Sequence, residues 1–318
     1  MRTGAAAEHL GYFHAAVQYA SDEELLAVTM PFLLGGLAAG EPTIVTFGER
    51  TAELVRAALP AGAPVEFLSG GAMYARPAAA IRSYRALLAR HVEAGAAQIR
   101  IIGEIPAAAF GNTWDWWARY ESAINHAYDD FPLWSMCAYD VRVTPTAVLA
   151  DVGRTHPRFA VAGGRHEDSG TYIDPRAYLS EHRPPVPDPL QEGPPTVTLA
   201  APTPGQARAA VRAADRGGVP AADVDDLVVA VSETVTNALR YGRAPVRLRV
   251  WGGADRIVVT VTDAGPGPKD PFAGLLPATD TATGGRGLWI AHQTCDHVAS
   301  ARDDEGWTIR LIAGGTTA

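Results

Sequence analysis

Up to about residue 160, short continuous apolar runs alternate with longer stretches of helical period. PTIVTFG, QIRIIGEI and LWSMCAYD read as buried strands, and VEFLS as a shorter one. Between them SDEELLAVTMPFLLGGLAAG, TAELVRAAL, PAAAIRSYRALLARHVEAGA, WDWWARYESAINHAYDDF and TAVLADVGRTH read as helices. The first opens with a capping box from Ser21 to Glu24, and the third has proline at its start. This alternation predicts an α/β unit with a mainly parallel sheet and helices on both faces. The rhythm stops at RPPVPDPLQEGPP, Arg183 to Pro195, where six of thirteen residues are proline and a semi-rigid linker is expected. Beyond it the strand TVTLAA precedes two helices, PGQARAAVRAADRGG and AADVDDLVVAVSETVTNALRYG. The strands VRLRVWG, RIVVTVTDAG and WTIRLIAG follow, with the helix GLWIAHQTC before the last. Helices followed by adjacent strands predict an α+β layer on a mixed sheet. The expected domains are 1–182 and 196–318, joined by a linker over 183–195.

Composition changes this picture little. A chain of 318 residues, 47% hydrophobic and 19% charged, suits two folded, soluble domains. The formal net charge of −8 weighs against direct binding to nucleic acid, which needs a basic patch. Cys137 and Cys295 stand far apart and suit neither a disulfide framework nor metal-ligand spacing. MRTGAAAEHLGYFHAA has no apolar run of signal-peptide length, and AVTMPFLLGGLAAG is too short and broken to span a bilayer. The expectation is a cytoplasmic protein without a membrane segment.

Candidate chemistry concentrates in the second half. On the helix after Asp223, the residues Val224, Leu227, Val228, Val231, Val235, Ala238 and Leu239 share one face, and Glu233 and Asn237 lie opposite with Asp226 and Ala230. Taken alone, that pair reads as the wet side of a helix. The strand VVTVTDAGPG ends in Asp263 followed by Gly265 and Gly267, glycines that allow close approach of a ligand or simply a turn. TGGRGLWIA then opens a helix whose free N–H groups can face phosphate. In this order and spacing, from about Thr196 onward, the three pieces resemble the GHKL ATPase superfamily. Glu233 and Asn237 match its N box, Asp263, Gly265 and Gly267 its first Gly box, and Gly285, Arg286, Gly287 and Leu288 its second.

The resemblance implies ATP and Mg²⁺ as cofactors. It implies that Asn237 binds the metal through its amide oxygen and that Asp263 accepts a hydrogen bond from the adenine amino group. Gly265 and Gly267 would pass close to the base and ribose, and Thr308 would support the adenine contact. Glu233 would orient or deprotonate an attacking water or hydroxyl. The segment PKDPFAGLLPATDTAT between the Gly boxes would be a mobile lid, and Arg243 is a candidate γ-phosphate contact. No acceptor histidine on a helical hairpin precedes this domain. The ending GGRGLWIAHQTCDHV looks like the anti-sigma serine kinases of the RsbW and SpoIIAB type. Such kinases bind a sigma factor and phosphorylate a serine on a STAS-domain antagonist; relatives commonly form homodimers. An ATP-binding partner-switching module without turnover, or a histidine-kinase-related sensor, are the competing readings.

In the first half, RIIGEI ends in Glu104, as a RecA-like ATPase strand would, yet no G-x-x-x-x-G-K-[ST] occurs. HAAVQYASDEELLAVTMPFLLGGLAAGEPTIVTF, WARYESAIN, CAYD and THP, within residues 9–160, resemble the MEDS sensory domain, a RecA-like fold without its nucleotide loop. His14, Tyr19, Glu104, Trp114, Tyr120, Glu121 and His156 are candidate residues for an unknown small-molecule or protein signal, with core packing the alternative for the aromatic ones. Trp114, Trp116 and Trp117 could also line an apolar pocket.

Overall fold

The computed structural model describes residues 1–69, 74, 76–277 and 286–315. The chain divides into two compact units, Met1–Ala75 with Ala79–Leu179, and Arg76–Ala78 with Ser180–Ala318.

The first unit is built on a seven-stranded sheet of order β3-β2-β4-β5-β1-β6-β7. The strands are β1 (Phe13–Tyr19), β2 (Thr43–Thr46), β3 (Glu66–Phe67), β4 (Ile99–Gly103), β5 (Leu133–Asp140), β6 (Arg158–Val161) and β7 (Arg165–Asp168). All pairings are parallel except β6 with β7. That hairpin turns over the three residues Ala162, Gly163 and Gly164, the two glycines both at positive φ, a backbone that glycine adopts without strain. Helices α1 (Asp22–Ala38), α2 (Glu49–Ala58), α3 (Pro77–Glu93), α4 (Trp114–Ala127), α5 (Thr146–Thr155) and the short α6 (Pro175–Leu179) complete the unit. At the start of α1, Ser21 Oγ accepts from the Glu24 N–H at 3.2 Å. The Glu24 carboxylate reaches back to the Ala20 N–H at 2.7 Å, one residue earlier than a regular capping box. Phe32 and Leu33 of α1 pack with Phe13, Val17, Trp134 and Met136 on one face of the sheet. Side chains alternate along a strand, so Cys137 and Tyr139 of β5 point to the other face, where α4 lies.

The second unit carries β8 (Val197–Ala200), β9 (Arg247–Gly252), β10 (Arg256–Asp263), β11 (His297–Asp303) and β12 (Gly306–Gly314), ordered β11-β12-β10-β9-β8. Every pairing is antiparallel, not mixed as expected. The difference arises from β11. HVASARD has small and polar residues where a strand pattern needs apolar ones, but as an edge strand it pairs with β12 alone. Helices α7 (Pro204–Ala214), α8 (Ala221–Tyr241) and α9 (Arg286–Thr294) cover the sheet. A Cβ on Gly252 would fall 1.9 Å from the Ala214 carbonyl of α7, so Trp251, one residue earlier, faces away from that helix.

Part of the proline-rich segment lies on this second face. Leu190 packs against Trp251, Val258 and Ile312. Trp251 Nε1 donates to the Gly193 carbonyl at 2.9 Å, and Asp188 pairs with Arg256 at 3.1 Å. An apolar row on the exposed side of a sheet needs a cover, and here residues 188–193 supply it.

Candidate functional site

Glu233 and Asn237 stand one turn apart on α8, each half-buried. The helix is turned relative to the expected stripe: Ala230 and Thr234 are buried, while Leu239 is 50% exposed. The cause is α9, which packs along this side. A Cβ on Gly287 would lie 2.9 Å from both Glu233 Cβ and Glu233 Oε2, and 3.0 Å from Asn237 Nδ2. Glycine at 287 therefore lets α9 close directly on the acid–amide pair.

Asp263 ends β10 and is buried. Its Oδ1 accepts from the Gly265 N–H at 2.6 Å and the Arg243 N–H at 3.2 Å. Both bonds end on Oδ1, so Oδ2 retains its acceptor capacity. A Cβ on Gly242, just past α8, would fall 2.4 Å from Asp263 Cγ, and one on Gly265 would fall 2.6 Å from Asp263 Oδ1. These two glycines make room for the carboxylate. Gly267 answers to a different neighbour: at φ +79° it lies under Trp307, whose ring a Cβ would meet at 2.4 Å. Thr308 Oγ1 is 2.8 Å from Thr262 Oγ1 across the β10–β12 ladder. Gly242 was not anticipated, although a glycine directly after a helix is a stop signal. Arg243 contributes through its backbone N–H, which donates to Asp263.

Arg286 begins α9 and is exposed, and Leu288 is buried. Gly285 lies outside the described residues, as does 278–283 of the expected lid. The rest of that segment is a folded turn with Phe272 and Leu275 each 2% exposed. Asp270 anchors it, its carboxylate accepting from the Phe272 N–H at 3.2 Å.

In the first unit, His14, Glu121 and His156 meet on the α4 side of the sheet. Glu121 Oε2 is 3.7 Å from His14 Nε2 and 3.4 Å from His156 Nε2, all three side chains being fully buried. Cys137, dismissed on spacing, completes the group: its Sγ lies 3.5 Å from His14 Nε2 and 3.8 Å from Glu121 Oε2. The four come from β1, α4, β5 and the end of α5, a convergence that linear spacing does not express. Burial pushes the Glu121 carboxyl up to about 7, against the hydrogen bond from Tyr139, and the His156 imidazole down to about 4. His14 is lowered too, by burial and then by His156, and burial raises the Cys137 thiol.

The other candidates stay apart from this group. Glu104 holds the start of α2, accepting from the Gly48 N–H at 2.8 Å and the Thr51 hydroxyl at 3.3 Å. Tyr19 ends β1, its hydroxyl pushed up to about 12 by burial and by nearby Glu104 and Asp140. Tyr120 packs on Tyr74 and Trp117. Trp114 donates to Asp151 at 3.1 Å. With Trp116 and Trp117 it is buried. A cavity of about 440 Å³ lies on the opposite face of the sheet, among Phe32, Gly35, Arg100, Trp134, Met136 and His166.

Residues 13–157 match the family model of the methanogen/methylotroph, DcmR sensory domain, MEDS. Residues 198–313 match the model of the histidine kinase-like ATPase domain. The chain carries a MEDS domain and a histidine kinase-like ATPase domain. No curated protein matches it. The pairing is that of a regulatory, kinase-like ATPase, and the α/β and antiparallel α+β units agree with it. Among the described residues, no helix is long and apolar enough to cross a membrane.

The ATPase domain implies ATP, typically with Mg²⁺, and the donor set fits them. Asp263 keeps one carboxylate oxygen for a base amino group, Asn237 offers an amide oxygen suited to a hard cation, and a Cβ at 287 would fill the space between α9 and α8.

Proposed function

We propose that the chain is an ATP-dependent serine/threonine kinase that phosphorylates a STAS-domain anti-sigma antagonist and sequesters a sigma factor, with the MEDS domain as its sensory input. The observation that carries this reading is the half-buried Glu233, one turn from Asn237 and in contact with Gly287. A carboxylate kept beside the nucleotide residues is placed to serve as a general base. Asp263 would select adenine, with Thr308 behind it, and the N–H groups of Arg286, Gly287 and Leu288 at the start of α9 would face phosphate. Mg²⁺, held by Asn237, would neutralise phosphate charge. In the transfer, the serine oxygen forms a bond to the γ-phosphorus while the bond from that phosphorus to the bridging oxygen breaks. ADP leaves and the hydroxyl proton passes to Glu233.

The test is transfer from γ-labelled ATP to STAS-domain proteins, with the modified residue mapped. For Glu233→Ala, ADP binding is expected to survive while transfer falls about a hundredfold or more, the scale of a lost general base. Wild-type transfer by that variant defeats the mechanism. ATP-dependent partner retention without any transfer, in the unaltered chain, would identify a binding module.

A further inference from the structure

We propose that His14, Glu121, Cys137 and His156 form a four-ligand site for a divalent metal ion of the zinc class, inside the MEDS domain. Their donor atoms all lie within 4.8 Å of one another. Metal–ligand bonds of about 2.0–2.3 Å give a tetrahedron edges of roughly 3.3–3.8 Å. Four of the six separations, 3.4, 3.5, 3.7 and 3.8 Å, fall in that range before any ion has drawn the ligands in, and the other two lie within 4.8 Å. Two imidazoles, one carboxylate and one thiolate suit a borderline-soft cation and not Mg²⁺ or Ca²⁺, which take oxygen.

The surrounding bonds aim both rings inward. Asn125 Nδ2 donates to the carbonyls of Glu121, Ser122 and Thr155, which turns its Oδ1 toward His14 Nδ1 at 3.0 Å. His156 Nδ1 lies 3.0 Å from the Val152 carbonyl. A carbonyl can only accept, so each Nδ1 carries the proton and each Nε2 presents a lone pair to the cluster. Partners of this kind accompany metal-bound histidines. Tyr139 donates to Glu121 Oε1 at 2.9 Å, leaving Oε2 for the centre.

A self-contained polar network would close on itself, and this one does not. His156 Nε2, fully buried and pointed at Glu121, makes no hydrogen bond. An ion at the centre would satisfy that lone pair, with Cys137 binding as the thiolate and its proton released to solvent. Cys137 is partly exposed, which gives an ion a way in.

The experiment uses the full chain, purified without chelator, assayed for metal by mass spectrometry, then stripped and titrated with Zn²⁺ and with Co²⁺. One equivalent per chain is expected. The cobalt form should show four-coordinate ligand-field absorption and a sulfur-to-cobalt charge-transfer band. Cys137→Ser, close in shape, should abolish the charge-transfer band, and His156→Gln should weaken Co²⁺ binding by a hundredfold or more. Absence of saturable uptake by the unaltered protein overturns the proposal. So does stoichiometric uptake that both variants retain with unchanged spectra, since the ion would then sit elsewhere. This site is independent of the kinase reading, because metal content and spectra are read without ATP or any partner.

Discussion

Asp263→Asn separates recognition of the base from support of the fold. The carboxylate does two things through two oxygens: Oδ1 holds the N–H groups of Gly265 and Arg243, and Oδ2 would accept from adenine. Alanine would remove both and leave two buried donors unpaired, at about 1–3 kcal/mol each, so lost binding could not be told from lost structure. Asparagine keeps an acceptor at Oδ1 and puts an NH₂ at the Oδ2 position, facing the amino group of adenine. Losing one charge-assisted hydrogen bond costs about 1.5–3 kcal/mol, or roughly 10- to 150-fold in dissociation constant. The opposed donors put the expected loss for ADP in the upper part of that range. GDP, with a carbonyl there, should gain relative to ADP. Titration calorimetry of both nucleotides, with thermal midpoints measured alongside, reads the two effects separately. ADP affinity within twofold of wild type and an unaltered preference over GDP would refute the base contact.

Three other substitutions test neighbouring parts of the argument. Gly287→Ala puts a methyl 2.9–3.0 Å from Glu233 and Asn237 but improves helix propensity. A stability loss of about 1–3 kcal/mol from the overpacking, partly offset by propensity, is expected together with an ADP affinity drop of about tenfold, or about 1.4 kcal/mol; unchanged calorimetry would place the nucleotide elsewhere. Gly267→Ala meets both a positive φ and the Trp307 ring, so a loss of about 1–3 kcal/mol in denaturant unfolding is expected. Glu104→Ala should remove the two hydrogen bonds that hold the start of α2, at about 0.5–1.5 kcal/mol each, and leave ADP affinity intact. A drop in ADP binding with unchanged stability would give Glu104 a nucleotide role instead.

The two sites differ in how far they could be read from the chain. Glu233 with Asn237, and Asp263 with its glycines, are local patterns in which one helix turn or one strand end fixes relative position. The register Thr262↔Thr308 and the closure of α9 on α8 through Gly287 needed the fold. Periodicity also misjudged the sides of α8, because a helix covered by both a sheet and another helix buries more than one stripe, and Ala230 is small enough to lie in the second contact. The strands β1, β6, β7 and β11 escaped for related reasons. HVASARD lacks the apolar alternation of a strand, and RFAVAGGRHED is short, though its paired glycines were a legible turn. The proline-rich segment was judged by composition alone, whereas Leu190 and the Trp251 row decide where it lies.

The group in the MEDS domain was opaque for a deeper reason. His14, Glu121, Cys137 and His156 share no spacing, since parallel strands joined by crossover helices bring residues from distant parts of the chain to one face of the sheet. What marks them in three dimensions is energetic inconsistency. A buried charge elsewhere in this unit shows the contrast. Arg100, nearly inaccessible, pairs with Glu41 at 2.5 Å and donates to the Phe32 carbonyl and the Thr3 hydroxyl. In the cluster His156 Nε2 has no hydrogen-bond partner, and apolar residues of similar volume would fill such a space at no electrostatic cost. An unpaired lone pair, two tautomers fixed from outside and separations near tetrahedral edges would be three unrelated accidents in an interior built only for packing. A single bound cation accounts for all three.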